Sequence, residues 1–184
     1  MANVLLSTVS TDGIGVSEGD ASLVTSFSTL GLTNHSSITS FDELKYFTNI
    51  TSIPNNGFNS CTSLTSVVLP STCTSIGSNA FNGCNITGPI DLSNVTSIGE
   101  NAFYGCNLGA VTLPNITSLT HRSFNNCGVT SFDISGSSIT NIALLNLVTG
   151  NQLTSVKLPT TVTTFGSIYG PTFNSNNITE LRGV

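Results

Sequence analysis

Apolar residues return along this chain about every 22 positions, a period that belongs to neither a single helix nor a single strand. Aligned on Phe-x-x-Cys, one column runs Phe58…Cys61, Phe81…Cys84, Phe103…Cys106 and Phe124…Cys127, with cysteine spacings of 23, 22 and 21. Two further units continue it with asparagine in place of cysteine, at Val148…Asn151 and Phe173…Asn176. The flanks keep step. Two or three residues after the column comes Leu64, Ile86, Leu108, Val129, Leu153 or Ile178. Five or six after comes Val67, Ile90, Val111, Phe132, Val156 or Leu181. Eight before it stand Ile53, Ile76, Ile98 and Leu119, and eleven before, Ile50, Cys73, Val95 and Ile116. Self-similarity of this kind over residues 50–184 marks a repeat architecture.

The repeat translates into elements. Leu-Thr-Ser-Val-Val-Leu-Pro at 64–70 alternates apolar and polar residues, which predicts a strand with one buried face. Pro70, Pro114 and Pro159 lack an N–H for the ladder and end such strands. Ser-Asn-Ala-Phe-Asn-Gly-Cys at 78–84 is too short for a full helix and predicts one helical or 3₁₀ turn, with serine as N-cap and glycine at the exit. One such unit cannot cover its own apolar face, so neighbours must stack. The expected fold is a solenoid of short parallel strands joined by single turns, about 30 Å long for six or seven coils spaced about 4.8 Å apart. Residues 37–184 form the solenoid. Residues 1–36 lack the repeat and read as a small N-terminal cap or arm for attachment or oligomerisation.

Within that arm, Asp12 to Asp20 looks like a degenerate half of a calcium loop with one carboxylate in place. The simpler reading is a capping box, Ser17-x-x-Asp20, opening a short helix over 18–25. At the other end the sequence stops inside a strand pattern, so a second subunit or a partner strand is expected to cover it.

The run Leu-Pro-x-x-x-Thr-Ser-Ile-Gly-x-x-Ala-Phe-x-x-Cys, present at 69–84 and in part at 95–106, resembles the BspA-like leucine-rich repeat. That family is typical of Bacteroides-type bacteria and of some protozoan surface proteins. The segment 37–47 is similar to the lead-in unit found before such repeats. The resemblance implies a leucine-rich-repeat solenoid that serves as a non-catalytic scaffold for adhesion and binding.

Composition changes the picture of the surface. Only 7% of residues are charged, against about 25% in an ordinary globular protein. Serine (27), threonine (27) and asparagine (21) must therefore wet the exterior. A net charge of −5 with four cations excludes a phosphate-reading nucleic-acid surface. No apolar run approaches the roughly 20 residues of a membrane span. The first six residues carry no basic region and no long apolar run, so no signal peptide is predicted.

Candidate chemistry is sparse. The cysteine spacings match no zinc motif. A column that accepts either cysteine or asparagine reads as a small inward side chain that bonds a backbone group, which favours buried thiols over disulfides. Cys73 falls in the isoleucine/valine column and reads as a small hydrophobe. His35 and His121 lie apart, and no serine, histidine and acid set converges. Asp91 and Asp133 share an outward strand position with Thr112 between them, a weak acidic line that marks a candidate binding face. No catalytic, cofactor or metal residue emerges. The functional expectation is a non-enzymatic structural or adhesion module. It is displayed on a bacteriophage particle as a fibre or decoration component, in contact with other copies, a virion protein, or a surface protein or glycan. The alternative is a bacterial cell-surface or secreted adhesin.

Overall fold

The computed structural model describes residues 9–10, 13–14, 21, 23–27, 32–142, 150–163 and 178–182. It is a β-solenoid of about five stacked parallel turns with almost no helix, the leucine-rich-repeat type expected from the sequence. Among the described residues ten short strands build three parallel sheets along its length. One joins β4 (Ser52–Ile53), β6 (Ser75–Ile76), β7 (Ser97–Ile98) and β9 (Ser118–Leu119), each shifted by one coil. Another joins β8 (Ala110–Thr112), β10 (Ser131–Asp133), β11 (Ser155–Lys157) and β12 (Glu180–Arg182), while β3 (Ser40–Phe41) pairs with β5 (Ser66–Val67) in the first coils. A further antiparallel pair, β1 (Val9–Ser10) with β2 (Gly13–Ile14), precedes the solenoid. The capping box at Ser17 to Asp20 lies outside the described residues. A 3₁₀ helix at Asp42–Tyr46 opens the solenoid, with Asp42 and Glu43 in its first turn and their charge favourable to its N-terminus.

The core is a continuous stack. Phe58, Phe81, Phe103 and Phe124 are fully buried. Their rings lie face to face at 5.1, 5.3 and 5.3 Å with interplanar angles near 10°. Both ends of the stack are closed by edge-on rings: Phe27 and Phe41 against Phe58, and Phe132 against Phe124. Ala21, Val24, Phe27 and Leu32 join the same core, so the described part of the N-terminal segment packs over the first coil.

The turn at 78–84 keeps only part of the helical or 3₁₀ turn its sequence predicts. Ala80, Asn82 and Cys84 donate to the residue three back, but Asn79, Phe81 and Gly83 donate to Glu100, Ala102 and Tyr104 of the next coil at 2.7–3.0 Å. Every second N–H thus leaves the coil, and a helix needs them consecutively. Two left-handed positions break the run as well. The first is Asn56, Asn79, Asn101 and Arg122, with φ from 51° to 59°. The second stands just before the cysteine column, at Ser60, Gly83, Gly105, Asn126 and Gly150.

Coil backbones pack without room for a side chain at Ser-Ile-Gly. Gly77 and Gly99 donate to Ile53 and Ile76 of the preceding coil at 2.8 Å. A Cβ on Gly99 would lie 2.4 Å from the Ser78 nitrogen. At the same corner of the next coil Thr120 carries a side chain, and its bond to the Ile98 carbonyl has lengthened to 3.2 Å.

The ladder beside the Leu64–Pro70 strand position is interrupted once. The third coil inserts a residue, Gly88-Pro89, and Pro89 has no N–H. Ile90, expected in the column of Val67 and Val111, is only partly buried, and β5 and β8 therefore belong to separate sheets.

Two substitutions test this geometry by urea denaturation. Gly99→Ala should lower stability by about 2–3 kcal/mol, because backbone rather than a movable side chain occupies the space. Arg122→Asn should raise it by about 1 kcal/mol, because asparagine tolerates the left-handed conformation better than arginine; no gain would mean that Arg122 makes up the difference by another contact.

Candidate functional site

The phenylalanine and cysteine columns lie entirely in the core. Each column thiol donates to a carbonyl of the preceding layer: Cys84 to Phe58 at 3.1 Å, Cys106 to Phe81 at 3.4 Å and Cys127 to Phe103 at 2.7 Å. Cys61 does the same to Leu32 of the cap at 2.9 Å. Asn151 takes the role over in the next coil. Its amide donates to the Phe124 carbonyl at 2.7 Å, and its Oδ1 accepts from the Cys127 and Val129 N–H groups at 2.8 and 3.0 Å. Phe173 and Asn176 lie outside the described residues.

All five cysteines are free and buried. Cys73 sits in the isoleucine/valine column, with its sulfur 3.6 Å from the Ser75 carbonyl. Burial raises every one of these thiol pKa values, and at three of them the preceding cysteine of the column adds to the effect: Cys84 is pushed up to about 12, and Cys106 and Cys127 further. These are poor nucleophiles, since the thiolate is the reactive form.

Threonine has a role that composition alone conceals. Thr74, Thr96 and Thr117 each aim both their N–H and their hydroxyl at one carbonyl of the preceding coil, at Thr51, Thr74 and Thr96. Beside the β3–β5 pair Thr65 does the same to Thr39, and on the β8–β12 ladder Thr154 and Thr179 do so to Thr130 and Thr154. The hydroxyls predicted to wet the surface are also tying coils together.

The predicted acidic line is redrawn by the register. Thr112, Asp133, Lys157 and Arg182 occupy one row across β8, β10, β11 and β12. The Lys157 ammonium donates to the Asp133 carboxylate at 3.0 Å, so the one acid of the row is paired with a cation and the row is not an acidic line. Partial burial pushes the Asp133 pKa up, but the hydroxyl and N–H of Ser135, with Lys157, outweigh it and hold the carboxyl below its ordinary value. Asp91 stands off this ladder. It belongs to the coil broken at Gly88-Pro89, where the hydroxyl and N–H of Ser93 lower its pKa. It lines a shallow cleft of about 90 Å³ with Leu69, Ser71 and Asn94. In the adjoining row Ser155 donates to Glu180 at 3.0 Å, and near the other end Ser66 donates to Asp42.

Among the described residues no three of His, Cys, Asp and Glu gather as a metal site, and no helix is long and apolar enough to cross a membrane. His35 is exposed and His121 partly buried on a different coil. What the geometry offers is a ridged, mostly uncharged exterior around a filled core, the form of a protein-binding repeat scaffold. The chain belongs to the BspA-type leucine-rich-repeat family, whose repeat region matches residues 33–93 and 89–182 in six copies. Repeats of this class generally mediate protein interactions. No curated protein and no solved structure matches the chain.

The thiol column gives the fold an alkaline limit. In the unfolded chain thiols ionise near pH 9, whereas in the column they stay protonated. A pKa raised on folding contributes stability that is complete below the unfolded value and is lost as pH climbs through the folded one. The urea midpoint should therefore fall between about pH 9 and 12, and Cys84→Ser should make that fall shallower; an unchanged pH profile in the variant would show that this thiol is not the cause.

Proposed function

We propose that this chain is a non-enzymatic adhesion and protein-binding module displayed on a particle, as a bacteriophage fibre or decoration component. It holds another virion protein, further copies of itself or an external surface. The observation that carries this reading is the ladder β8–β10–β11–β12. Among the described residues it is an unbroken four-strand strip with chemically varied side chains, exposed Thr112 and Lys157 and half-buried Asp133 among them, on a rigid support. Binding through a preorganised strip loses little conformational entropy. Two further features favour a scaffold over an enzyme. The nucleophilic sulfurs are sealed in the core, and the titratable groups of the exterior are dispersed over different coils.

The family relationship also favours a second reading, a bacterial surface or secreted adhesin using the same strip. Mass spectrometry of fractions from the source culture separates the two. The proposal expects peptides of this chain to co-sediment with purified particles through a density gradient. Recovery only from the cell envelope or the soluble secreted fraction would overturn it in favour of the adhesin.

A further inference from the structure

The column cysteines are placed at four consecutive junctions rather than scattered through the core. Cys61 bridges the cap and the first full coil, and Cys84, Cys106 and Cys127 bridge the next three junctions, each by a hydrogen bond from sulfur to a carbonyl across the boundary. The same boundary is closed by a pair of phenylalanine rings. A sulfur can be reached only when its own coil parts from the one before. Solenoids part in this way, because each coil contacts only its neighbours and local openings cost less than global unfolding.

We propose that the cysteine column is a redox latch on coil separation: each thiol is sealed by the junction it bridges, and reacts with a small disulfide once that junction opens. The chemistry is thiol–disulfide exchange with a low-molecular-weight disulfide such as oxidised glutathione. The cysteine thiol loses its proton, and its thiolate attacks one sulfur of the disulfide. The old S–S bond breaks, a mixed disulfide forms, and the departing thiolate takes up a proton. The adduct is far larger than the space beneath a stacked phenylalanine, so the junction cannot close again until a reductant removes it. A chain peeled in an oxidising medium is thereby held open, and one peeled in a reducing medium re-zips. Cys61 should be the first to react. Its junction is with the cap, where Phe27 meets Phe58 edge-on at 5.0 Å in place of a parallel stack. Cys73 stands outside this set, since its sulfur bonds within its own coil.

The test uses the full chain carrying Cys73→Val, a change that matches Val95 in the same column, so that only the four junction sulfurs remain. The protein is incubated with oxidised glutathione at increasing urea, and the adducts are counted and mapped by mass spectrometry. In native buffer, adduction should run about 100-fold or more slower than in the unfolded chain, the scale of protection that buried segments give against local opening. With rising urea, adducts should appear singly, Cys61 first, before the far-UV signal of the whole chain is lost. After dilution of the urea, modified chains should stay partly unfolded until a thiol reductant is added. The proposal is overturned by adduction in native buffer at the unfolded rate, by all four sulfurs reacting in one step with global unfolding, or by modified chains that refold completely without reductant. None of these outcomes bears on what the module binds.

Discussion

A coil of about 22 residues can neither bury its own apolar face nor satisfy its own backbone, and the rest of the molecule follows from that constraint. Half of the N–H groups in each turn go to the next coil, and the strands pair only between coils. The parallel phenylalanine stack, too, forms between coils. Each such ring pair adds about 0.5–1.5 kcal/mol beyond the burial of its surface. Buried backbone groups left unpaired cost about 1–3 kcal/mol each. The second effect is the larger here because every coil contributes several such groups. Apolar stacking holds the rod together, and hydrogen bonding fixes how the coils sit on one another.

The places where the repeat is imperfect show what the regular positions accomplish. Thr120 stands where Gly77 and Gly99 allow contact between backbones, and there the coils draw apart by a few tenths of an ångström. Gly88-Pro89 adds a residue to one coil, and the strand ladder stops on both sides of it although the phenylalanine stack passes through undisturbed. Core and ladder are thus separable. The stack tolerates a local insertion because its rings come from a different side of the coil than the inserted residue.

Much of this was legible in the sequence because side-chain columns in a solenoid are written directly as a period. Phe58, Phe81, Phe103 and Phe124 could be stacked from spacing alone, and the exchange of cysteine for Asn151 already implied a side chain that bonds a backbone group. What was not legible depends on atoms that the period does not specify. The turn at 78–84 has the composition of a helical turn, but its N–H groups are claimed by the next coil, and no local rule shows that competition. Threonine was read as a wetting residue because composition records only that it is polar. Its second role needs the carbonyl that the neighbouring coil presents. Asp91 and Asp133 look alike in the alignment, yet one extra residue before Ile90 takes Asp91 off the ladder, and only the register puts Lys157 beside Asp133.

The same constraint shapes what the molecule can do. Catalysis requires a concave site in which several groups converge with perturbed acidity. A solenoid of this width fills its interior with one side chain per column per coil, so among the described residues the groups with strongly raised pKa values are thiols buried in the core. The proposed binding role rests on the exterior, where neighbouring coils place side chains in register along a strip. The Asp133–Lys157 pair is a product of that arrangement: the two residues are 24 apart in sequence and in contact across one ladder step. It is exposed enough for its own contribution to stability to be small. That makes it free to vary without unfolding the rod, which is the property a recognition surface requires.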